Sequence, residues 1–366
     1  MKKIFVLIAF SLIFIMPAFT EEGIILPSQT GIIKSVEYVN SDDGITNTKQ
    51  LIKVKLLSGD FKGETVELEN IITGNPYYDI KLKKNSKVIL HAEDNGNGIE
   101  YSIEDIKRSG TLLLLAGIFC VLLIYVGKKK GLLSLVSIVL TVLLIIYCLS
   151  PMVLFGISPV LSALIVCFIS TVITMYLVGG LNAKSTSAAI GTVLSLIFAG
   201  FLSHITMLIG HLTGFSGENM LFLYSSHPEL NFVGITISIM ILATLGAVMD
   251  VSMSIASTIN EIYETDNSKS VKELIISGMN VGRDIIGTMA NTLILVYLGG
   301  SLPLILLSEN IDIQKFINLN QVVTETASAL IGSIAIVICV PFTAIAASIL
   351  IHKYSKLAKY DNISLD

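Results

Sequence analysis

The chain has 366 residues, of which 53% are apolar and only 14% are charged, and its formal net charge at pH 7 is −4. A soluble protein carries roughly 25% charged residues, so this composition excludes an ordinary water-soluble chain and predicts extensive contact with a lipid bilayer. The lack of a basic surplus argues against a nucleic-acid partner. All four cysteines lie in apolar stretches, which excludes a disulfide framework and a paired-cysteine metal motif.

The first 20 residues have the pattern of a secretory leader. Lys2 and Lys3 precede an apolar run over residues 4–16, and Pro17 ends that run. A short basic start followed by an apolar run predicts a signal peptide over residues 1–20. Thr20 is a poor residue for the cleavage position, so an uncleaved membrane anchor is the alternative. Both alternatives place the segment that follows outside the cytoplasm.

Residues 21–107 alternate apolar and polar side chains. Ile52 and Val54, for example, interleave with Lys53 and Lys55. A period of two is typical of half-buried strands. We predict a small extracytoplasmic all-β domain, an antiparallel barrel of SH3 or OB type, that serves for docking or gating, with a ligand-free spacer as the alternative. Turn-forming residues separate its five expected strands, at 31–39, 49–57, 64–72, 86–92 and 99–104.

Residues 108–353 form the predicted transmembrane helical domain. They contain seven apolar stretches, each close to the ~20 residues that cross a bilayer. Ten lysines and arginines fall in the segments on one side of the spans, whereas the outer loops at 151–157, 209–231 and 308–328 contain Lys315 alone. Lys107 and Arg108, before the first span, oppose this bias only weakly because they belong to a domain that the leader exports. The bias places the β domain outside and the tail, residues 354–366, in the cytoplasm. Pro341 is expected to kink the last span. The predicted spans are 111–127, 131–150, 158–179, 187–208, 232–250, 285–307 and 329–352.

Two polar stripes interrupt the apolar sequence between residues 246 and 299. Each recurs at helical spacing, so each lies on one helix face, and a short connection lets the two meet in the bundle interior. Carboxylates at such depth are retained by pairing, by cation binding or by carrying protons. Oxygen donors of this kind predict an ion or substrate path for a hard inorganic cation or a proton. The candidate path residues are Asp250, Ser254, Ser257 and Glu261 on the first stripe, and Asn280, Arg283, Asp284, Thr288 and Asn291 on the second.

Two other interpretations of these stripes stay open. The charged groups are structural pairs in the first. In the second they lie at the cytoplasmic interface, where Asp250 caps a helix that begins near Val251 and Arg283 anchors the interface. The sequence has no Ser-His-Asp order, no HExxH motif and no complete phosphate loop around Lys184. We therefore expect no catalytic residue, no metal site and no cofactor, and the protein is not expected to be an enzyme.

Four strings resemble one family. GAVMDVSMSIAS at 246–257 and GMNVGRDIIGTMANTLIL at 278–295 are similar to the membrane part of the YibE/F family of bacterial multi-pass membrane proteins. SGDFKGETV at 58–66 and GNPYYD at 74–79 are similar to its outer domain. The resemblance implies an integral protein of the bacterial cytoplasmic membrane, and it supplies no catalytic or binding residues.

These observations favour a permease or ion-coupled transporter that uses intramembrane carboxylates. The alternative is a non-transporting sensor or partner protein, which docks something through the β domain and assembles with another membrane subunit.

Overall fold

The structure is a computed structural model that describes residues 28–39, 48–77, 79–94 and 99–363. The predicted leader, residues 1–20, lies outside the described residues. The chain divides near residue 122 into two compact units, one containing the strands and one containing most of the helices.

The first unit is an antiparallel sheet of five strands. Its spatial order is β3-β2-β1-β4-β5, and β3 also contacts β5, so the sheet nearly closes into a barrel. The expected fold class, a helical membrane protein with an N-terminal barrel-like β domain, is thereby confirmed. The strands are β1 (Gln29–Val39), β2 (Thr48–Leu56), β3 (Thr65–Ile72), β4 (Lys87–Asp94) and β5 (Ile99–Ile106).

The alternation along β2 decides which side chains enter the barrel. Ile52, Val54 and Leu56 are buried together with residues of β1 and β4. The intervening Lys53 points outward and forms an ion pair of 2.7 Å with Glu67, its direct neighbour on β3. Cross-strand pairs of opposite charge stabilise a sheet by a few tenths of a kcal/mol, at most about 1. The barrel therefore has an apolar interior and a charged outer ladder.

One polar side chain, Gln50, is fully buried in this barrel. Its amide pairs with the backbone of Leu82, donating to the carbonyl and accepting from the N–H at 3.3 Å each. Asn70 donates to Gln50 Oε1 at 2.9 Å and to the carbonyl of Ile80 at 2.8 Å. The side-chain amides of Gln50 and Asn70 thus extend the hydrogen bonding of the sheet and hold residues 80–82 against it.

The GNPYYD string is a turn held by a carboxylate. Asp79 accepts hydrogen bonds from the N–H of Thr73 at 2.7 Å, from its hydroxyl at 2.9 Å and from the N–H of Gly74 at 2.8 Å. Gly74 has φ of +82°, which suits glycine. Burial by itself would raise the pKa of Asp79, but these hydrogen bonds and the charge of Lys81 together lower it. The turn is therefore strongest when Asp79 is ionised.

The rest of the described chain is helical. In chain order the helices are α1 (Ser109–Leu144), a π-helical turn (Ile145–Leu149), α2 (Ser150–Leu154), α3 (Pro159–Gly179), α4 (Ala183–Ile209), α5 (Glu218–Ser226), α6 (Phe232–Thr265), α7 (Val271–Gly300), α8 (Leu302–Leu307), a 3-10 turn (Ser308–Asn310), α9 (Ile313–Ile317) and α10 (Asn320–Ile363).

Six helical segments in the described residues are long and apolar enough to span a membrane. The first, Ser109–Leu154, has 46 residues, about 69 Å of helix, which is roughly twice a hydrocarbon core. This helix is interrupted at Lys128, whose φ of +50° is non-helical. The backbone reverses direction there, because a Cβ built on Gly131 would overlap the carbonyl of Leu123. In a straight helix these two residues are about 12 Å apart. The stretches predicted at 111–127 and 131–150 lie on the two sides of this reversal.

Three spans differ in extent from the apolar stretches. α6 and α7 both continue far beyond their apolar parts toward the connection between them, because helical hydrogen bonds also form where side chains are polar. α7 ends at Gly300, and Pro303 begins the separate helix α8 because its ring fits a first turn. α10 continues through Pro341, which removes the N–H that would bond the carbonyl of Val337.

Helices α4, α6 and α10 form the centre of the bundle, and small residues let them approach closely. A Cβ on Gly191 of α4 would overlap Thr343 of α10. Thr192 of α4 and Ser252 of α6 share a hydrogen bond of 2.7 Å between buried hydroxyls. Close contact of small residues and hydroxyl hydrogen bonds are typical of helices packed within membranes.

Replacing Gln50 by Leu should loosen residues 80–82. The substitution leaves the N–H and carbonyl of Leu82 without their partners, at a cost of about 1–3 kcal/mol. Hydrogen exchange of the full-length protein should speed up at the Leu82 amide. A peptide from β5 serves as the internal control, and unchanged exchange at Leu82 contradicts the assigned role.

The turn around Asp79 should respond to acid. Because the folded pKa of Asp79 is lowered, its stabilising effect is complete above the unfolded value, about 3.9, and disappears as pH falls through the lower folded value. Asp79→Asn should therefore exchange faster than wild type at Thr73 and Gly74 near neutral pH, and the ratio of the two exchange rates should begin to fall near about pH 4 and approach one only below the lowered folded pKa. Comparing both proteins at the same pH cancels the intrinsic pH dependence of exchange. A ratio independent of pH rules out the carboxylate as the cause.

Gly282→Ala should weaken the contact between α7 and α10. A Cβ at Gly282 would overlap the fully buried Val340, whereas a Cβ at Gly287, on the same helix, meets nothing. We expect a loss of about 1–3 kcal/mol for Gly282→Ala, seen as a lower midpoint of thermal unfolding in detergent. Gly287→Ala is the matched control and should keep or raise the midpoint, since alanine favours helix by about 1 kcal/mol. Equal midpoints for the two variants contradict the packing assignment.

Candidate functional site

The first polar stripe lies on the outer side of α6. Asp250, Ser254 and Glu261 are exposed and Ser257 is partly exposed, whereas Val248, Ser252 and Ile255 are buried in the bundle. Ser254 donates its hydroxyl to the carbonyl of Asp250 at 2.8 Å, a bond within the helix. Successive residues of a helix turn by about 100°, so the stripe is centred roughly opposite the packed face.

The second polar stripe lies on the outer side of α7. This helix packs through Leu274, Gly278 and Gly282, its buried residues, with Gly278 against Ile259 of α6 and Ala344 of α10. The stripe lies on the opposite side of the helix. Its exposed members are Asn280, Arg283, Asp284, Thr288 and Asn291.

The two stripes therefore do not meet in the bundle interior, contrary to the expectation from the sequence. The interior is occupied by apolar residues and by small hydroxyl residues, such as the Thr192–Ser252 pair. The physical reason is that glycines let α7 approach its neighbours more closely than a face of longer polar side chains would. Once that glycine face is packed, the polar face must turn outward.

The stripes nevertheless lie at matching heights. In the antiparallel pair α6 and α7, Ile259 is level with Gly278, and both Thr244 and Leu293 lie beside Gly332. Because both helices rise by about 1.5 Å per residue, Ser254 lies at the same height as Arg283. Ser257 likewise lies at the height of Asn280, and Asp250 at the height of Gly287. The two stripes thus lie at the same heights on the outer sides of α6 and α7, and we call them together the polar band.

The charges within the polar band are poorly compensated. Arg283 donates to Asn280 Oδ1 at 2.9 Å, which is a contact within α7. Among the described residues, no hydrogen bond or ion pair is formed by the carboxylate of Asp250 or of Asp284. A carboxylate in a membrane-spanning helix costs a few kcal/mol when it faces hydrocarbon. These two groups need water, an ion, a proton or another protein surface beside them.

The described residues contain no group of three or more His, Cys, Asp and Glu side chains placed to hold a metal ion. The oxygens of the polar band are instead spread along the helices, with Thr288 donating its hydroxyl to the carbonyl of Ile285 at 2.9 Å. A spread of single oxygens suits a cation or proton that moves from group to group better than one held tightly.

A second polar position was missed in the sequence. Glu325 of α10 and Tyr297 of α7 line one cavity near the ends of their helices. The sequence signal was one of three carboxylates, Glu309, Asp312 and Glu325, in the segment 308–328, which was expected to be an outer loop. α10 begins earlier than expected, at Asn320, and therefore carries Glu325 within the helix. Hydropathy alone gave no reason to separate this glutamate from those of solvated loops.

Comparison with family models gives two matches. The model described as YibE/F-like protein matches residues 115–353, and the model described as the YibE/F family N-terminal domain matches residues 30–106. No curated protein and no solved structure matches the chain. The first match covers the helices that carry the polar band, and the second covers the five-stranded sheet. The chain is therefore an integral membrane protein that belongs to the YibE/F family.

Proposed function

We propose that the protein is a membrane permease that moves an inorganic cation or a proton along the polar band. The observation that supports this function best is that Asp250 and Asp284 are exposed and uncompensated on helices that span the membrane. Selection against exposed carboxylates in hydrocarbon is strong, so intramembrane charges of this kind mark ion and substrate paths.

Each polar residue has a place in this proposal. Asp250 and Asp284 bind the cation or carry the proton. Neutral oxygens complete the coordination and allow the ion to step along the helices, and Arg283 tunes the charge of the path. The neutral donors are Ser254, Ser257, Asn280, Thr288 and Asn291, and Glu261 forms the end of the path nearest the connection between α6 and α7.

The proposed orientation follows from the distribution of basic residues. The β domain lies outside the bacterial cytoplasmic membrane, exported by a signal peptide or an uncleaved anchor, and the C-terminus is cytoplasmic. The connection between α6 and α7, with Lys269 and Lys272 nearby, is then cytoplasmic. Glu261 is the cytoplasmic entrance to the path under this orientation.

A second candidate function is a non-transporting partner or sensor protein. The same outward polar band favours it, because a second membrane subunit whose polar groups face Asp250 and Asp284 would compensate them equally well. Under this alternative the β domain docks or senses something outside the membrane. Deletion of residues 22–107 should then abolish function, while Asp250→Asn should be tolerated.

Ion flux in proteoliposomes tests the permease. Wild-type protein should carry at least one ion from a panel of protons, sodium, potassium and magnesium. Asp250→Asn and Asp284→Asn should each reduce that flux by about tenfold or more, since losing a charge contact of about 1.4 kcal/mol already changes an equilibrium tenfold. Glu218→Gln, an exposed carboxylate on α5 away from the polar band, is the matched control and should keep wild-type flux.

Three results would separate the two functions. Flux that survives both aspartate substitutions contradicts the proposed role of the polar band. Absence of flux for every ion, with the protein folded and inserted, favours the partner protein. Flux lost equally in Glu218→Gln indicates general damage to the fold.

A further inference from the structure

A cavity lies at the end of the helical bundle where α7 ends and α10 begins. It encloses about 690 Å³, including its open mouth, between α7, the short helices α8 and α9, and α10. Most of its wall is apolar, and Tyr297, Ser301, Glu325 and Thr326 supply the polar groups. Its apolar wall includes Ile294, Leu298, Leu304, Ile305, Phe316 and Leu330.

Glu325 carries the only acidic group in this wall. Its side chain is partly buried, and no Lys or Arg among the described residues forms an ion pair with it. Tyr297 is close enough to interact with it electrostatically. A half-buried carboxylate among apolar side chains is unfavourable unless a cation or a proton accompanies it.

The wall chemistry selects the class of ligand. A hard metal ion takes six or more oxygen ligands, and one carboxylate with a few hydroxyls in an apolar wall does not offer them. An anion would be repelled by Glu325. A neutral apolar molecule would leave the carboxylate uncompensated. An ammonium that carries apolar groups fits both the charge and the wall. Tyr297 and Phe316 also line the cavity, and aromatic rings are side chains that attract such cations.

We propose that this cavity binds an organic ammonium cation, with Glu325 opposite its charge and the apolar wall around its carbon groups. Two sources share this chemistry: a free amine and the choline headgroup of a phospholipid. Under the proposed orientation the cavity opens toward the outer side of the membrane. The site is distinct from the polar band, and its occupation does not depend on whether the protein transports ions.

Binding of radiolabelled benzyltrimethylammonium to the full-length protein in nanodiscs tests the site. Neopentylbenzene, which has the same shape and no charge, is the ligand control. Wild type in phosphatidylglycerol nanodiscs should bind the ammonium saturably and should bind the neutral compound at least about tenfold more weakly. Glu325→Gln should weaken ammonium binding by about tenfold or more. Glu309→Gln alters an exposed carboxylate that does not line the cavity, and it should bind as wild type does.

Nanodiscs of phosphatidylcholine distinguish the two sources when both lipids are compared at about 1 M salt, which screens the attraction of the ammonium to the anionic phosphatidylglycerol surface. Weaker apparent binding there than in phosphatidylglycerol indicates that the lipid headgroup occupies the cavity, whereas equal binding indicates a site for free amines. The proposal is overturned if wild type binds no ammonium saturably in either lipid, if Glu325→Gln binds as well as wild type, or if the neutral compound binds equally well. Because the readout is binding, a loss of ion flux in the earlier experiment leaves this test unaffected.

Discussion

The close packing of α7 through Gly278 and Gly282 is the contact that decides which side of this helix faces the bundle and which side faces outward. These glycines let Ala344 and Val340 of α10 approach the backbone of α7 directly. In a bilayer, where lipid tails are as apolar as the helices themselves, such close van der Waals contact supplies much of the association between helices. The glycine face can pack in only one direction, and that direction determines where every other side chain of α7 points.

The outward position of the polar band follows from this contact. Asp284 lies on the side of α7 opposite the glycines, and Asp250 lies on the side of α6 opposite the bundle core. Several hydroxyls of the interior, in contrast, are satisfied within their own helix, since Ser195 and Ser203 each donate to the carbonyl four residues earlier. The described bundle thus has small hydroxyl side chains inside and the uncompensated carboxylates of Asp250 and Asp284 outside. This separation is why the polar band, and not the bundle centre, is the candidate path.

Polar side chains of the sheet also order the backbone around them through hydrogen bonds. The amide of Gln50 is completely buried and is paired with Leu82 and Asn70, so this amide orders residues 80–82. Asp79 orders an exposed turn by accepting three hydrogen bonds from Thr73 and Gly74. The GNPYYD string therefore has a structural explanation that does not require a ligand.

The sequence by itself determined the five strands and the apolar parts of the long helices, because the signals for them are local. Alternation of Ile52, Lys53 and Val54 predicts a strand, and apolar runs of bilayer length predict spans. Spacing also placed Asn280, Asp284, Thr288 and Asn291 on one helix face, since the angle between residues of a helix depends on that helix alone. The family resemblance likewise rests on contiguous strings.

Only the tertiary structure decided what those faces meet. Whether the polar face or the glycine face of α7 packs inward depends on Val340 and Ala344, which are far away in the chain. The partner of Gln50 is equally remote, because residues 80–82 reach it only when the barrel closes. Glu325 became a candidate because α8 and α9 fold over it to form a cavity. Local periodicity orients side chains around one axis, but contacts between distant segments decide which of those orientations is buried.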